Sequence, residues 1–198
     1  MMDDMVKGTD SKERMVAAAR RLFREHGYLG TALSDVITES AAPRGSIYFH
    51  FPGGKEELAA EVTLLHAADR IANINRAAAA ATTPAQLIEF FMGRERDDLV
   101  ASGYREGCAV APIVIESTPA SAQLSDATRR AFQDLITTLA ARFSEKGIAQ
   151  ERAAELATNV WTSTEGALIV SRALRSPEPF DAAIGLLTAA ADQVDSDR

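Results

Sequence analysis

At 198 residues, with 46% hydrophobic and 25% charged residues, the chain is long enough to bury one large core or two modest ones without metal or disulfide support, and its single Cys108 excludes an intramolecular disulfide. No apolar run approaches the ~20 residues that cross a bilayer, and Met1 to Lys7, with Asp3 and Asp4 and no apolar stretch, reads as a frayed leader and not as a signal peptide, so the expected compartment is the cytoplasm. The formal net charge of -7 argues against nucleic acid for the chain as a whole, yet residues 11 to 55 hold seven bases (Lys12, Arg14, Arg20, Arg21, Arg24, Arg44, Lys55) against four acids (Glu13, Glu25, Asp35, Glu39), an excess of +3 that leaves -10 on the remainder.

Almost every segment has helical periodicity and none alternates like a half-buried strand for long, which predicts an all-α fold of about nine helices. The first helix is expected from about Ser11 to His26, with Met15, Ala18, Ala19, Leu22 and Phe23 on one face, an Asp10/Glu13 capping pair, and Gly27 as its stop. Thr31 is expected to cap a second helix that turns Val36 and Ile37 inward and ends at Ser40-Ala41-Ala42. Pro43, at a first helical position, opens a very short third helix to Phe49. Ile47, Phe49 and Phe51 are expected in the core. Pro52-Gly53-Gly54 breaks the chain, and Lys55 opens a long helix to about Ala81. Thr83-Pro84 begins another, ending near Gly103, and a short helix is expected within Gly107 to Pro119. Three more follow, from about Ser121 to Lys146, Gln150 to Arg175, and Phe180 to Val194.

Two short helices joined by a tight turn, braced by a third, form the arrangement that places one helix in a DNA major groove. Gly27-Tyr28, Thr31, Ile37, Arg44-Gly45-Ser46-Ile47-Tyr48-Phe49-His50-Phe51 and Lys55-Glu56-Glu57-Leu58, in that order over about 48 residues, resemble the signature of the tetracycline-repressor (TetR) family of transcriptional regulators. The resemblance implies that Arg44, Gly45, Ser46 and Tyr48 face bases or phosphates from the third helix. Each has a physical use there: a guanidinium bonds guanine or phosphate, glycine lets the backbone approach, and a hydroxyl donates to either. Tyr48 and His50 are expected to anchor phosphates, as are Thr31, Ser34 and Lys55 at helix N-termini. Ala41 and Pro43 depart from the family pattern, which commonly has a turn glycine and a capping serine there. These features assign residues 1–55 to a helix-turn-helix DNA-binding domain and 56–198 to a helical effector-binding and dimerisation domain.

The second domain shows no catalytic constellation: His26, His50 and His66 are far apart in sequence, Cys108 has no neighbouring histidine, and no phosphate loop or metal-ligand spacing is present. No cofactor, metal or membrane partner is expected, and an enzyme is not; only Glu165 offers itself as an acid or base. Leu156, Val160, Ser163, Ala167, Val170 and Leu174 recur in steps of four and three, a seam for another helix. An internal core stripe is the plainer alternative, but the resemblance implies a dimer through the last two helices, to which Ile184 and Leu187 are added. Phe90, Phe91, Cys108, Phe132, Trp161 and Glu165 are expected to line a ligand pocket, although aromatics at helical spacing are ordinarily core. Gly107-Cys108-Ala109-Val110-Ala111-Pro112 with Pro52-Gly53-Gly54-Lys55 is similar to the branch of the family that includes the LmrA and YxaF regulators of drug efflux and flavonoid response, which implies a small apolar or aromatic effector. The expected function is a homodimeric repressor released by that effector from a palindromic double-stranded operator. A dimeric ligand-binding protein without operator binding is the alternative.

Overall fold

The structure, a computed structural model, describes the backbone of residues 2–196 and the side chains of residues 11–192. Among the described residues there are nine α-helices and no strand: α1 (Met2–His26), α2 (Leu33–Ser40), α3 (Ser46–His50), α4 (Gly54–Ala80), α5 (Pro84–Ala101), α6 (Ala111–Ser117), α7 (Ala122–Glu145), α8 (Gln150–Leu174) and α9 (Glu178–Ser196). None of them is long and apolar enough to cross a membrane.

Contacts divide the chain into two compact units, residues 1–66 with 108–131, and residues 67–107 with 132–198. Where the sequence suggests a break at residue 55, the first unit continues to His66 and takes in α6 and the start of α7. Its core gathers Met15, Ala19 and Phe23 of α1, Val36 of α2, Ile47 and Phe51 around α3, and Leu58 and Val62 of α4. Ala109, Ile113 and Leu124 complete it from far along the chain. Helix α1 packs on both α2 and α3.

The second unit packs α5 against α9 and α8, and α8 against α9. Leu87, Ile88 and Phe91 of α5, Leu135, Leu139 and Phe143 of α7, and Val160 of α8 are buried in it, as is Phe180 of α9. Helix α5 begins as its sequence dictates, with Thr83 accepting the Gln86 N–H and Pro84 in the first turn. A buried ion pair, Arg70 with Glu95, ties α4 to α5 within this unit. Lys146 donates to the carbonyls of Ala78 (2.9 Å) and Ala81 (2.6 Å), so a cation closes the C-terminal end of α4.

Several local expectations change. Asp10 lies inside α1 and does not begin it. The cap of α2 is Ala32, not Thr31. Helix α3 starts at Ser46, leaving Pro43 in the preceding turn. Phe49, expected in the core, is 80% exposed, whereas Ile47 and Phe51 are buried. The reason is periodicity: residues four apart share a helix face, and the residue midway between them points away.

The turn after α2 passes through Ala41, whose φ of 51° lies in the left-handed region that favours glycine. Ala41→Gly is therefore expected to stabilise the protein by about 1 kcal/mol, measured as a higher urea midpoint; a lower midpoint would show that this turn is unstrained. Phe51→Ala should cost about 3–5 kcal/mol, while Phe49→Ala should stay within about 0.5 kcal/mol of the parent. Similar losses for the two would contradict the opposed placement of their rings.

Candidate nucleic-acid interface

The turn between α1 and α2 is built around close approaches. Gly27 has φ +81°, and a side chain there would meet the Glu116 carboxylate at 3.0 Å; at Gly30 a Cβ would lie 2.3 Å from the His26 carbonyl oxygen. The Thr31 hydroxyl, expected to cap α2 and meet phosphate, instead donates inward to the Gly27 carbonyl at 2.9 Å and is buried. Asp35 does the capping, accepting the Ala32 N–H at 2.9 Å. Ser34 stays exposed and leans toward Asp35 at 3.4 Å.

From α6, the Glu116 carboxylate accepts the Leu29 N–H at 2.5 Å. At the start of α4, Glu56 accepts the hydroxyl of Ser121. Both are acidic clasps between sequence-distant parts of the first unit, and neither is readable from local sequence pattern.

Helix α3 is pinned at its start by Pro43, whose carbonyl accepts the Ser46 N–H at 2.9 Å and the Ser46 hydroxyl at 2.6 Å. That hydroxyl proton is committed, so Ser46 approaches a partner as an acceptor and not as the expected donor. Arg44 and Gly45 are exposed, and no atom lies within 4 Å of where a Gly45 side chain would be. Tyr48 is 65% exposed beside Phe49. The half-buried His50 ring meets Phe49 edge-on at 5.0 Å. The exposed side of α3 and its lead-in therefore offers one guanidinium, one phenol, bare backbone and one apolar ring.

Lys55, half-buried at the N-terminal end of α4, sits 4.5 Å from the centre of the Tyr28 ring, a cation–π contact. Burial lowers the pKa of its ammonium, opposed by the nearby charges of Glu116 and Asp35. Burial also raises that of Tyr28, with Glu56 and Glu116 adding to the effect.

In the second unit, the Trp161 ring stacks on Phe91 at 6.0 Å and meets Phe132 edge-on at 6.1 Å. Its indole N–H is buried and finds no acceptor among the described residues. Glu165 lies half-buried one turn further on. Two expected pocket residues do not join them. Phe90 faces outward on α5, because Leu87, Ile88 and Phe91 claim the inward face. Cys108 belongs to the first unit, where its Sγ lies 3.7 Å from Nε2 of the buried His66; the two are 42 residues apart, so the pairing comes from the fold and corrects the reading of an isolated thiol. A surface concavity of about 540 Å³ between α7 and α8, lined by Ile136, Ala140, Ala141 and Ala154 among others, uses none of the expected pocket residues.

The seam on α8 also divides. Leu156, Val160 and Ala167 are buried within the chain, as is Leu187 of α9, so these four pack internally and are unavailable as a surface. Ser163 and Ile184 are half-buried. Val170 and Leu174 are exposed, joined by Ile169 on α8 and Leu186 on α9, which the periodic pattern did not single out. Among the described residues there is no cluster of three or more His, Cys, Asp or Glu able to hold a metal.

Comparison with known proteins agrees with this geometry. Residues 15–62 match the family described as bacterial regulatory proteins, tetR family, and residues 84–185 match the C-terminal domain of LmrA/YxaF-like transcriptional regulators. The chain is 33% identical over 174 residues to the HTH-type transcriptional regulator LmrA of Bacillus subtilis (strain 168), covering 86% of this chain and 91% of that protein. It is 34% identical over 179 residues to an HTH-type transcriptional regulator of Mycobacterium tuberculosis (strain H37Rv), covering 86% and 88%. The crystal structure of a TetR transcriptional regulator from Chloroflexus aurantiacus superposes with a TM-score of 0.75 at 26% identity, over 94% of this chain and 96% of that one. The chain belongs to the TetR family of helix-turn-helix, DNA-binding transcriptional regulators, in its LmrA/YxaF-like group.

Proposed function

We propose that this regulator is a cytoplasmic homodimeric repressor that holds a palindromic operator and is released by a small apolar or aromatic molecule. The observation that carries the reading is the exposed apolar side chains on α8 and α9: Val170 and Leu174, which continue beyond Ala167 the stripe that the chain buries further back, together with Ile169 and Leu186. Gly166, Ala173 and Gly185 are exposed on the same helices and leave room for close approach. An apolar row flanked by small residues suits a two-fold interface in which each helix meets its own copy. Two copies supply two reading helices for half-sites about 34–36 Å apart.

Each copy brings Arg44, Gly45 and Tyr48 as groove-facing groups, with Ser34, Ser46, His50 and Lys55 positioning the backbone contacts. Thr31 contributes from inside, by holding the turn before α2. The ligand-binding element is Trp161 with Phe91, Phe132 and Glu165: a buried indole N–H without a protein acceptor is costly, and an effector carrying an acceptor atom relieves that cost. Ligand and operator then oppose one another by linkage, each favouring a different arrangement of the subunits.

Gel-shift titration with the DNA upstream of its own gene is expected to give one salt-sensitive shifted species containing two chains. Arg44→Ala should weaken specific binding by about 1–3 kcal/mol if Arg44 reads a guanine; equal loss on random DNA would reassign it to phosphate. The double change Val170→Glu with Leu174→Glu is expected to yield single subunits in sedimentation and to abolish the shift while helix content is retained. A dimer that survives both changes would place the interface elsewhere.

A further inference from the structure

We propose that Phe49 is a specificity-determining residue that recognises thymine in the operator through the 5-methyl group of the base. The inference rests on α3 being the helix that enters the groove, as the family assignment implies. Phe49 is 80% exposed on that helix, with its ring nearly perpendicular to that of His50 at 5.0 Å. Phenylalanine has neither donor nor acceptor, so it cannot bond a phosphate oxygen or a base heteroatom. Thymine's methyl is the apolar group that base edges present in the major groove, and apolar side chains select it by contact.

The surroundings favour such an approach. Gly45, one turn before Phe49, has open space where a side chain would stand, so nothing beside the ring holds the helix away from the base edges. Arg44 and Tyr48 flank it with groups that bond polar atoms. The helix thus pairs a polar reader with an apolar one, and Arg44 and Phe49 select different bases.

The test uses the full chain and duplexes it selects from a random-sequence pool. In the selected duplex each thymidine is replaced in turn by 2′-deoxyuridine, which keeps the base pair and removes only the methyl. Loss of one methyl-sized contact is expected to weaken binding about fourfold at one thymine of a half-site, and about fifteenfold when both half-sites are substituted. Phe49→Ala should bind more weakly and be indifferent to uracil at that thymine, while Arg44→Ala keeps the uracil sensitivity. An unchanged melting temperature for Phe49→Ala separates this from unfolding.

Uracil that is neutral at every thymine, or a Phe49→Ala protein as sensitive to uracil as the parent, overturns the proposal and leaves operator binding standing. A uniform loss for Phe49→Ala on all duplexes, with no uracil effect, makes the ring a sugar-phosphate contact and likewise overturns it. A parent chain that selects no sequence at all removes groove reading by α3, and Phe49 with it.

Discussion

A helix of five residues closes too few internal hydrogen bonds to offset the cost of nucleation, so α3 cannot be stable by its own propensity. It is held from outside. Ile47 and Phe51, one turn apart, are sunk into the cluster formed by Met15, Phe23, Val36 and Leu58, and the Lys12 ammonium lies 5.7 Å above the Phe51 ring. Pro43 secures the other end by accepting both protons of Ser46. With positions 47 and 51 inward, the backbone leaves Tyr48 and Phe49 nowhere to point but outward. Burial of two residues thereby decides which others are exposed.

The unit that carries α3 is not a local segment of the chain. Ala109, Ile113 and Leu124 close its core, and Glu116 holds the Leu29 N–H in the turn that precedes α2. This alters how charge should be counted. Residues 11–55 carry a positive excess, but residues 11–66 and 108–131 together hold nine bases and nine acids. Lys12 is paired with Glu61 and Arg21 with Glu39, whereas Arg44 has no ion pair among the described residues. Attraction for a polyanion therefore depends on where the unpaired cations stand, not on the unit's net charge. Glu116 places a carboxylate near Lys55, which favours the charged ammonium but offsets part of its attraction for a polyanion, while its hydrogen bond holds the turn.

Helix order, number and most boundaries are legible in the sequence because they depend on short-range chemistry: Thr83-Pro84 starts α5, Pro52-Gly53 precedes α4, and Ser176-Pro177 separates α8 from α9. The failures share a different origin. The alternation of Ile47, Phe49 and Phe51 suggests one shared interior, but a period of two belongs to strands, and the helical period places Phe49 outside. Thr31 matched the residue type of a cap, but its hydroxyl has a carbonyl four residues back within reach. The Cys108–His66 contact and the Glu116 clasp join residues 42 and 87 apart, and no local pattern encodes such distances.

The α8 seam shows where periodicity stops being informative. Apolar residues at steps of three and four establish that a helix has a face to bury, but an identical pattern results whether the partner is another helix of the same chain or a second copy. Here the inward positions Leu156, Val160 and Ala167 satisfy that demand inside the unit. Further along the same stripe, near the C-terminal end of the helix, Val170 and Leu174 remain outside, while Ile169 is exposed on a different side of α8. Internal packing consumes the stripe only as far as Ala167, so its last two positions stay apolar and uncovered. One periodic stripe thus divides along its length into a part that the chain buries and a part that it leaves exposed, a division that periodicity alone does not encode.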